Sequence, residues 1–245
     1  MSKTIVITGA GSGLGRALAR RFAGEGERCL LIGRTLSKVE AVAEEIGGNA
    51  KAYGCDVSDP SAVQRTFDAI GAECGTIDVL INNAAVYEPF FIKKATDEQI
   101  INPLMINAAG PIFCTRAALP MIPRGGMIIS VTSESVEANF PMLSVYQASK
   151  AAAERFTKSM NEELREDGIR CVIVRAGAMM DEQMSLNADP ETLKTFGELL
   201  VRRGLNMRER GVSHVGSITH VFRALIDLPP DMEVTSIHLG GRVPA

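Results

Sequence analysis

The chain has 245 residues, 46% of them hydrophobic and 22% charged. These proportions support a packed core without disulfide or metal staples and exclude disordered and fibrous classes. With 26 basic against 29 acidic residues the formal net charge is −3, which offers phosphate backbones no general attraction, so nucleic acid is not expected as a partner.

From the N-terminus, seven short runs rich in β-branched and aliphatic residues predict buried strands at 4–8, 29–32, 51–53, 79–81, 127–131, 171–174 and 236–239. Helix-period stretches lie between them at 13–23, 37–46, 61–70, 97–121, 144–165 and 215–226, several opened by capping residues such as Ser37 or the Asp59-Pro60-Ser61 start. No linker divides the chain, so residues 1–245 form a single domain by this reading. Alternating strands and helices predict a Rossmann-type, doubly wound α/β fold: a mostly parallel seven-stranded sheet with helices on both faces and ligands at the carboxyl ends of the strands.

One stretch departs from the alternation. Residues 178–211 follow the sixth strand and carry Met179, Met180, Met184, Leu186, Leu193, Phe196, Leu199, Leu200 and Met207. A long apolar excursion on the ligand face reads as a substrate-binding lid, and Phe140, Met142 and Leu143 add to an apolar pocket. The basic cluster Arg202, Arg203, Arg208 and Arg210 reads as a solvated helix face or a subunit contact.

Cys29, Cys55, Cys74, Cys114 and Cys171 form an odd set without a C-x-x-C pair, as expected in a reducing compartment. His214, His220 and His238 lack ligand spacing, so no metal is expected. The opening apolar run is too short for a signal peptide, and no later run reaches the roughly 18 residues of a membrane span. A cytoplasmic protein with no membrane partner is the expectation.

Chemistry concentrates at four places. After the first strand, Thr8-Gly9-Ala10-Gly11-Ser12-Gly13-Leu14-Gly15 leads into a helix. Such a turn lets backbone N–H groups and the helix N-terminus approach a pyrophosphate, so Gly9, Gly11, Ser12, Gly13, Leu14 and Gly15 are expected to bind cofactor. The second strand ends in Gly33-Arg34, where a dinucleotide fold reads the adenosine ribose. Glycine removes the carboxylate that would favour NAD, and Arg34 can fork onto a 2′-phosphate, so NADP(H) is preferred. Tyr146 and Lys150 stand four residues apart at a helix start and share one face. A lysine cation beside a phenol, helped by the positive nicotinamide of an oxidised cofactor, favours the phenolate and predicts a lowered Tyr146 pKa.

The glycine loop pattern T-G-x-x-x-G-x-G and the Tyr146-x-x-x-Lys150 pair resemble the classical short-chain dehydrogenase/reductase family over nearly the whole chain. The resemblance implies an adenine contact at Asp56-Val57, and a match to the family's N-N-A-G at Asn82-Asn83-Ala84-Ala85 with alanine replacing the glycine. It further implies that Ser133, rather than the nearby Ser130 or Ser135, is the catalytic serine, and that Asn107 orders a water linking Lys150 to solvent. Gly177 and Met179 lie in the stretch resembling the family's P-G step, where Ala176 replaces proline. Asp181 falls where a threonine commonly meets the nicotinamide carboxamide.

On this resemblance the protein is an NADP(H)-dependent oxidoreductase of carbonyl reductase type, interconverting a ketone or aldehyde and an alcohol. Ser133, Tyr146, Lys150 and Asn107 form its catalytic set, and Asn83, Ala84, Ala85, Asp56, Val57, Tyr146 and Lys150 contribute to the cofactor site. An NAD-linked alcohol dehydrogenase and a non-catalytic dinucleotide-binding regulatory protein are the alternatives. The family likeness also implies a homodimer or homotetramer, with the helices starting near 97 and 144 as interfaces.

Overall fold

A computed structural model describes residues 2–181, 188–205 and 210–243. Its central sheet runs through β1 (Thr4–Thr8), β2 (Arg28–Gly33), β3 (Ala50–Gly54), β4 (Val79–Asn82), β5 (Met127–Ser133), β6 (Arg170–Ala176) and, at one edge, a C-terminal strand (Ser236–Leu239). The spatial order is β3-β2-β1-β4-β5-β6 and then the C-terminal strand, with every pairing parallel. The order reverses between β1 and β4, and the crevice at that switch is where an open α/β sheet binds ligands.

Helices cover both faces because strand residues alternate between them. Val6, Leu30, Leu80 and Ile128 face one layer, made by α3 (Pro60–Cys74), α5 (Gly110–Ala118) and α6 (Ser144–Glu163), with Phe67, Ile70 and Met160 buried against the sheet. Ile5, Ile7, Leu31, Ile81 and Ile129 face the other, where α1 (Gly13–Gly24), α2 (Leu36–Ile46) and α8 (Val215–Ile226) contribute Leu18, Phe22, Val39 and Phe222. Strands buried on both faces explain why the sequence reads as apolar runs rather than strict alternation.

The predicted seven-stranded α/β sheet is present. The strands extend further toward their carboxyl ends than their apolar runs do: Thr132 and Ser133 still pair with Arg175 and Ala176. Two features differ from the sequence reading. Met179–Met180 (β7) and Ser213–His214 (β8) form an additional two-stranded parallel ribbon, so the C-terminal edge strand is β9. The predicted helix 97–121 is composite: α4 (Asp97–Pro103), a π-helical turn (Leu104–Ala109), α5 and a 3-10 turn (Leu119–Met121). Pro111 supplies the physical reason, since it has no N–H to close on the carbonyl four residues back, that of Asn107.

Within 178–211, α7 (Pro190–Arg202) starts on an Asp189 cap that accepts from the Glu191 and Thr192 amides. Its Phe196 and Leu200 pack against Met142 and Leu143, with Tyr87, Phe140, Tyr146 and Leu205 at the margin of that cluster. Met184, Leu186, Met207 and Arg208 lie outside the described residues.

Candidate active site

The glycine loop is fixed to the sheet by one hydroxyl. Thr8 Oγ1, at the end of β1, accepts from the backbone amides of Asn83 and Ala84, each at 3.0 Å. Asn83 Nδ2 donates to Thr8 O at 2.9 Å and to Gly9 O at 3.3 Å. The two loops bordering the switch crevice are therefore one unit. A Cβ at Gly15 would lie 2.3 Å from Gly9 O, so only glycine permits this closeness of helix and loop.

A cleft of about 140 Å³ is lined by Gly9, Gly33, Arg34, Asp56, Val57, Ala84 and Ala85 among others. Asp56 Oδ1 accepts from the Ser58 amide at 2.9 Å and its hydroxyl at 2.6 Å, which holds the carboxylate at the cleft. Arg34 is exposed and makes no ion pair among the described residues. Lys38, which sequence reasoning passed over, packs its stem beside Gly11: a Cβ there would lie 3.1 Å from Lys38 Cβ.

On the other side of the loop, β5 delivers Ser133 and α6 delivers Tyr146 and Lys150. Ser133 Oγ accepts from the Ser135 amide at 3.2 Å, and its side chain acts on the Tyr146 hydroxyl, favouring the charged form. The buried Lys150 donates from Nζ to Val131 O at 2.8 Å. Ser130 is not part of this group, since its hydroxyl is taken by Thr157 Oγ1 at 2.8 Å. The Asn107 side chain is spent on structure: Oδ1 accepts from the Val86 amide at 2.8 Å, while Nδ2 donates to Val86 O and Ser149 Oγ, each at 3.0 Å.

Burial dominates the electrostatics of both titratable groups. Burial pushes Tyr146 up to about 12, opposed by the Ser133 hydrogen bond and reinforced by the Glu134 carboxylate. The Lys150 ammonium is turned to the Val131 carbonyl. Burial likewise brings Lys150 down to about 8.

For lysine this shift has a defined sign. The unfolded chain, with a lysine near 10.5, binds more protons than the folded one between about pH 8 and 10.5, so this group adds stability as pH rises through that window. Between pH 7.5 and 9.5 the gain is about 2 kcal/mol, expected as the difference between wild type and Lys150→Met in urea titrations. Equal pH responses in the two proteins would contradict a depressed Lys150.

In front of Ser133 opens a mainly apolar cavity of about 420 Å³, walled by Tyr87, Phe140, Leu143, Phe196, Leu200 and Leu205 among others. One expectation is corrected here. Arg210 is no solvated surface charge: its Nη2 lies 2.7 Å from Glu134 Oε2 on the cavity wall, and its guanidinium stands 5.4 Å over the Phe140 ring. Asp181 Oδ2 accepts from the Gly13 amide at 3.1 Å and pairs with Arg16 Nη2 at 2.9 Å. Met142 is buried within the cluster behind the cavity, whereas Phe140 and Leu143 line it.

Sequence reasoning also missed Tyr87, whose ring meets that of Tyr146 edge-on at 4.8 Å. The only signal was its place five residues after the strand end at Asn82. No group of three or more metal-ligating side chains occurs among the described residues.

This arrangement of loop, cleft and serine–tyrosine–lysine set is accompanied by direct likeness to known proteins. The family model for short chain dehydrogenase matches residues 3–191. The chain belongs to the short-chain dehydrogenase/reductase family. It is 35% identical over 193 residues to 2,3-dihydro-2,3-dihydroxybenzoate dehydrogenase of Bacillus subtilis, covering 76% of this chain and 74% of that protein. It is 31% identical over 206 residues to carbonyl reductase family member 4 of Danio rerio, covering 81% and 86%.

The structure of an alcohol dehydrogenase from the archaeon Thermococcus sibiricus complexed with 5-hydroxy-NADP superposes with a TM-score of 0.84 at 23% identity, covering 100% of this chain and 99% of that one. That likeness shows the fold. As a member of this family the chain is an NAD(P)(H)-dependent oxidoreductase acting on alcohol or carbonyl groups. Among the described residues no helix is long and apolar enough to cross a membrane.

Proposed function

We propose that the protein is an NADP(H)-dependent carbonyl reductase, converting a ketone or aldehyde of substantially apolar body to its alcohol. The observation that carries the reaction is Ser133 on the wall of the apolar cavity, with Tyr146 and Lys150 brought to it by α6 and Tyr146 under the influence of the Ser133 side chain. The residues fit a dinucleotide: the loop admits close backbone approach, Asp56 and Val57 border the adenosine cleft, and a carboxylate already sits on the Gly13 amide where a diphosphate belongs. When bound, the nicotinamide supplies or accepts the hydride.

The chain supplies the rest. Ser133 orients the substrate oxygen, and Tyr146, kept protonated by burial, gives that oxygen its proton in reduction. Directing hydroxyl donors at the developing alkoxide is where polar stabilisation counts most. Lys150, with one N–H committed to Val131, has donors left for the nicotinamide ribose. Asn107 acts through its backbone: its side chain clamps Val86 to Ser149, while its carbonyl, deprived of an i+4 donor by Pro111, is available to the water that links Lys150 to solvent. Asn83, Ala84, Ala85, Gly177 and Met179 complete the cofactor walls, and the segment around α7 lids the substrate.

Cofactor choice rests on Gly33 and Arg34. No carboxylate meets the ribose hydroxyls at the end of β2, while an exposed guanidinium and the nearby Lys38 stem leave cationic charge for a 2′-phosphate. A Cβ at position 33 would lie 2.7 Å from Val39 Cγ1, so an acidic residue could be accommodated there only with a change at Val39. Unpaired thiols at all five cysteines accord with a reducing, cytoplasmic setting.

The exposed Ile101, Leu104 and Ile112 on α4, the π turn and α5 are proposed to pack against a second copy. Light scattering is expected to give a dimer or tetramer for wild type and a smaller species for Ile101→Lys/Ile112→Lys; a wild-type monomer would contradict this. The reaction itself is tested by following NADPH oxidation with a panel of alkyl and aryl ketones and aldehydes. Turnover with NADPH above NADH is expected, and turnover with NADH alone would overturn the cofactor assignment.

A further inference from the structure

Asp181 directly follows the short β7 strand and reaches the glycine loop. Its Oδ2 accepts from the Gly13 amide at 3.1 Å and from Arg16 Nη2 at 2.9 Å, and Oδ1 accepts from the same Nη2 at 3.2 Å. Gly13 is the first residue of the 12-residue α1 and has φ +53°. Both side chains of the pair are about nine-tenths buried, with relative exposures of 11% and 10%, so bulk solvent screens the contact little.

An amide at this position of a glycine-rich strand-to-helix turn is the donor a dinucleotide diphosphate uses, aided by the positive end of the helix. A carboxylate from within the chain therefore satisfies the donor, and the neighbouring cation, that the diphosphate would take. Two anions cannot share one amide and one guanidinium without mutual repulsion.

We infer that Asp181 is an internal competitor of the cofactor diphosphate, holding the Gly13 amide and Arg16 in the cofactor-free protein and yielding both when a dinucleotide binds. The inference rests on the dinucleotide cleft described above. Asp181, Met179 and Met180 also line the substrate cavity, and β7 is tied to β8 by the Met179–Ser213 and Met180–His214 pairs. Displacement of Asp181 thus reshapes the cavity wall, which makes cofactor binding a precondition of productive substrate binding.

The test is calorimetric titration of wild type, Asp181→Asn and Asp181→Ala with NADPH, NADH and 2′-AMP, after circular dichroism has shown that the variants fold. Both dinucleotides carry the diphosphate, and 2′-AMP carries adenosine and the 2′-phosphate without it. Dinucleotide affinity is expected to rise at least about fivefold in both variants, with 2′-AMP changing less than about twofold. Unchanged or weaker dinucleotide binding in the variants, or an equal gain for 2′-AMP, would overturn the competitor role while leaving the dinucleotide site intact. Failure of wild type and both variants to bind either dinucleotide would overturn that site, and the competitor role with it.

Discussion

Tyr146→Phe lowers kcat by about 10² to 10⁴-fold, the usual contribution of a positioned general acid or base, while dinucleotide affinity stays close to wild type. The substitution keeps the ring, and with it the edge-on contact to Tyr87 at 4.8 Å, and removes only the hydroxyl facing Ser133. Stability should therefore change little while the proton donor is lost. Initial rates of NADPH oxidation at saturating carbonyl substrate, together with a cofactor titration, read the two effects separately. A variant retaining most of its kcat would remove Tyr146 from the chemistry; one that loses dinucleotide binding as well would show that the hydroxyl's main role lies in assembling the cleft.

Arg34→Ala weakens NADPH by roughly tenfold or more and leaves NADH unchanged. A charge-assisted contact to a phosphate contributes about 1.5 to 3 kcal/mol, and 1.4 kcal/mol is about tenfold in Kd. The exposure of Arg34 places the effect toward the lower end, since solvent screens it and Lys38 keeps some positive charge nearby. Arg34 has no ion-pair partner among the described residues whose loss would confuse the result. Raised salt should shrink the NADPH advantage of wild type in the same direction. Equal weakening of both dinucleotides would mean that Arg34 stacks on the adenine rather than reading the ribose phosphate.

Much of this was legible because the local signals and the fold agree. Apolar runs marked all seven strands of the main sheet, and the glycines after β1 marked the turn that Thr8 and Asn83 anchor. The Tyr146 and Lys150 spacing placed both on one face of α6. Strand ends were read short where polar residues such as Thr132 and Ser133 remain paired, since burial there is set by the neighbouring strand rather than by side-chain apolarity.

What the sequence left hidden consists mainly of contacts between distant positions. Asp181 and Arg16 meet across 165 residues, and Arg210 and Glu134 across 76; no periodicity reports such pairs. The upward push of burial on Tyr146 was hidden for a related reason. Four-residue spacing places a lysine near a phenol, yet the direction of Lys150 toward Val131 and the depth of the cavity decide which influence wins. The π turn is a partial exception: Pro111 lay in plain view, and its missing N–H was a signal that the helix around Asn107 could not be regular.

The most direct test of the central claim is titration of the wild-type protein with NADPH and, separately, NADH, following the cofactor's own nicotinamide fluorescence. The account predicts saturable binding of both, with NADPH tighter by about tenfold or more. Tighter binding of NADH would contradict the reading of Gly33 and Arg34, and binding of neither would contradict the cofactor cleft itself.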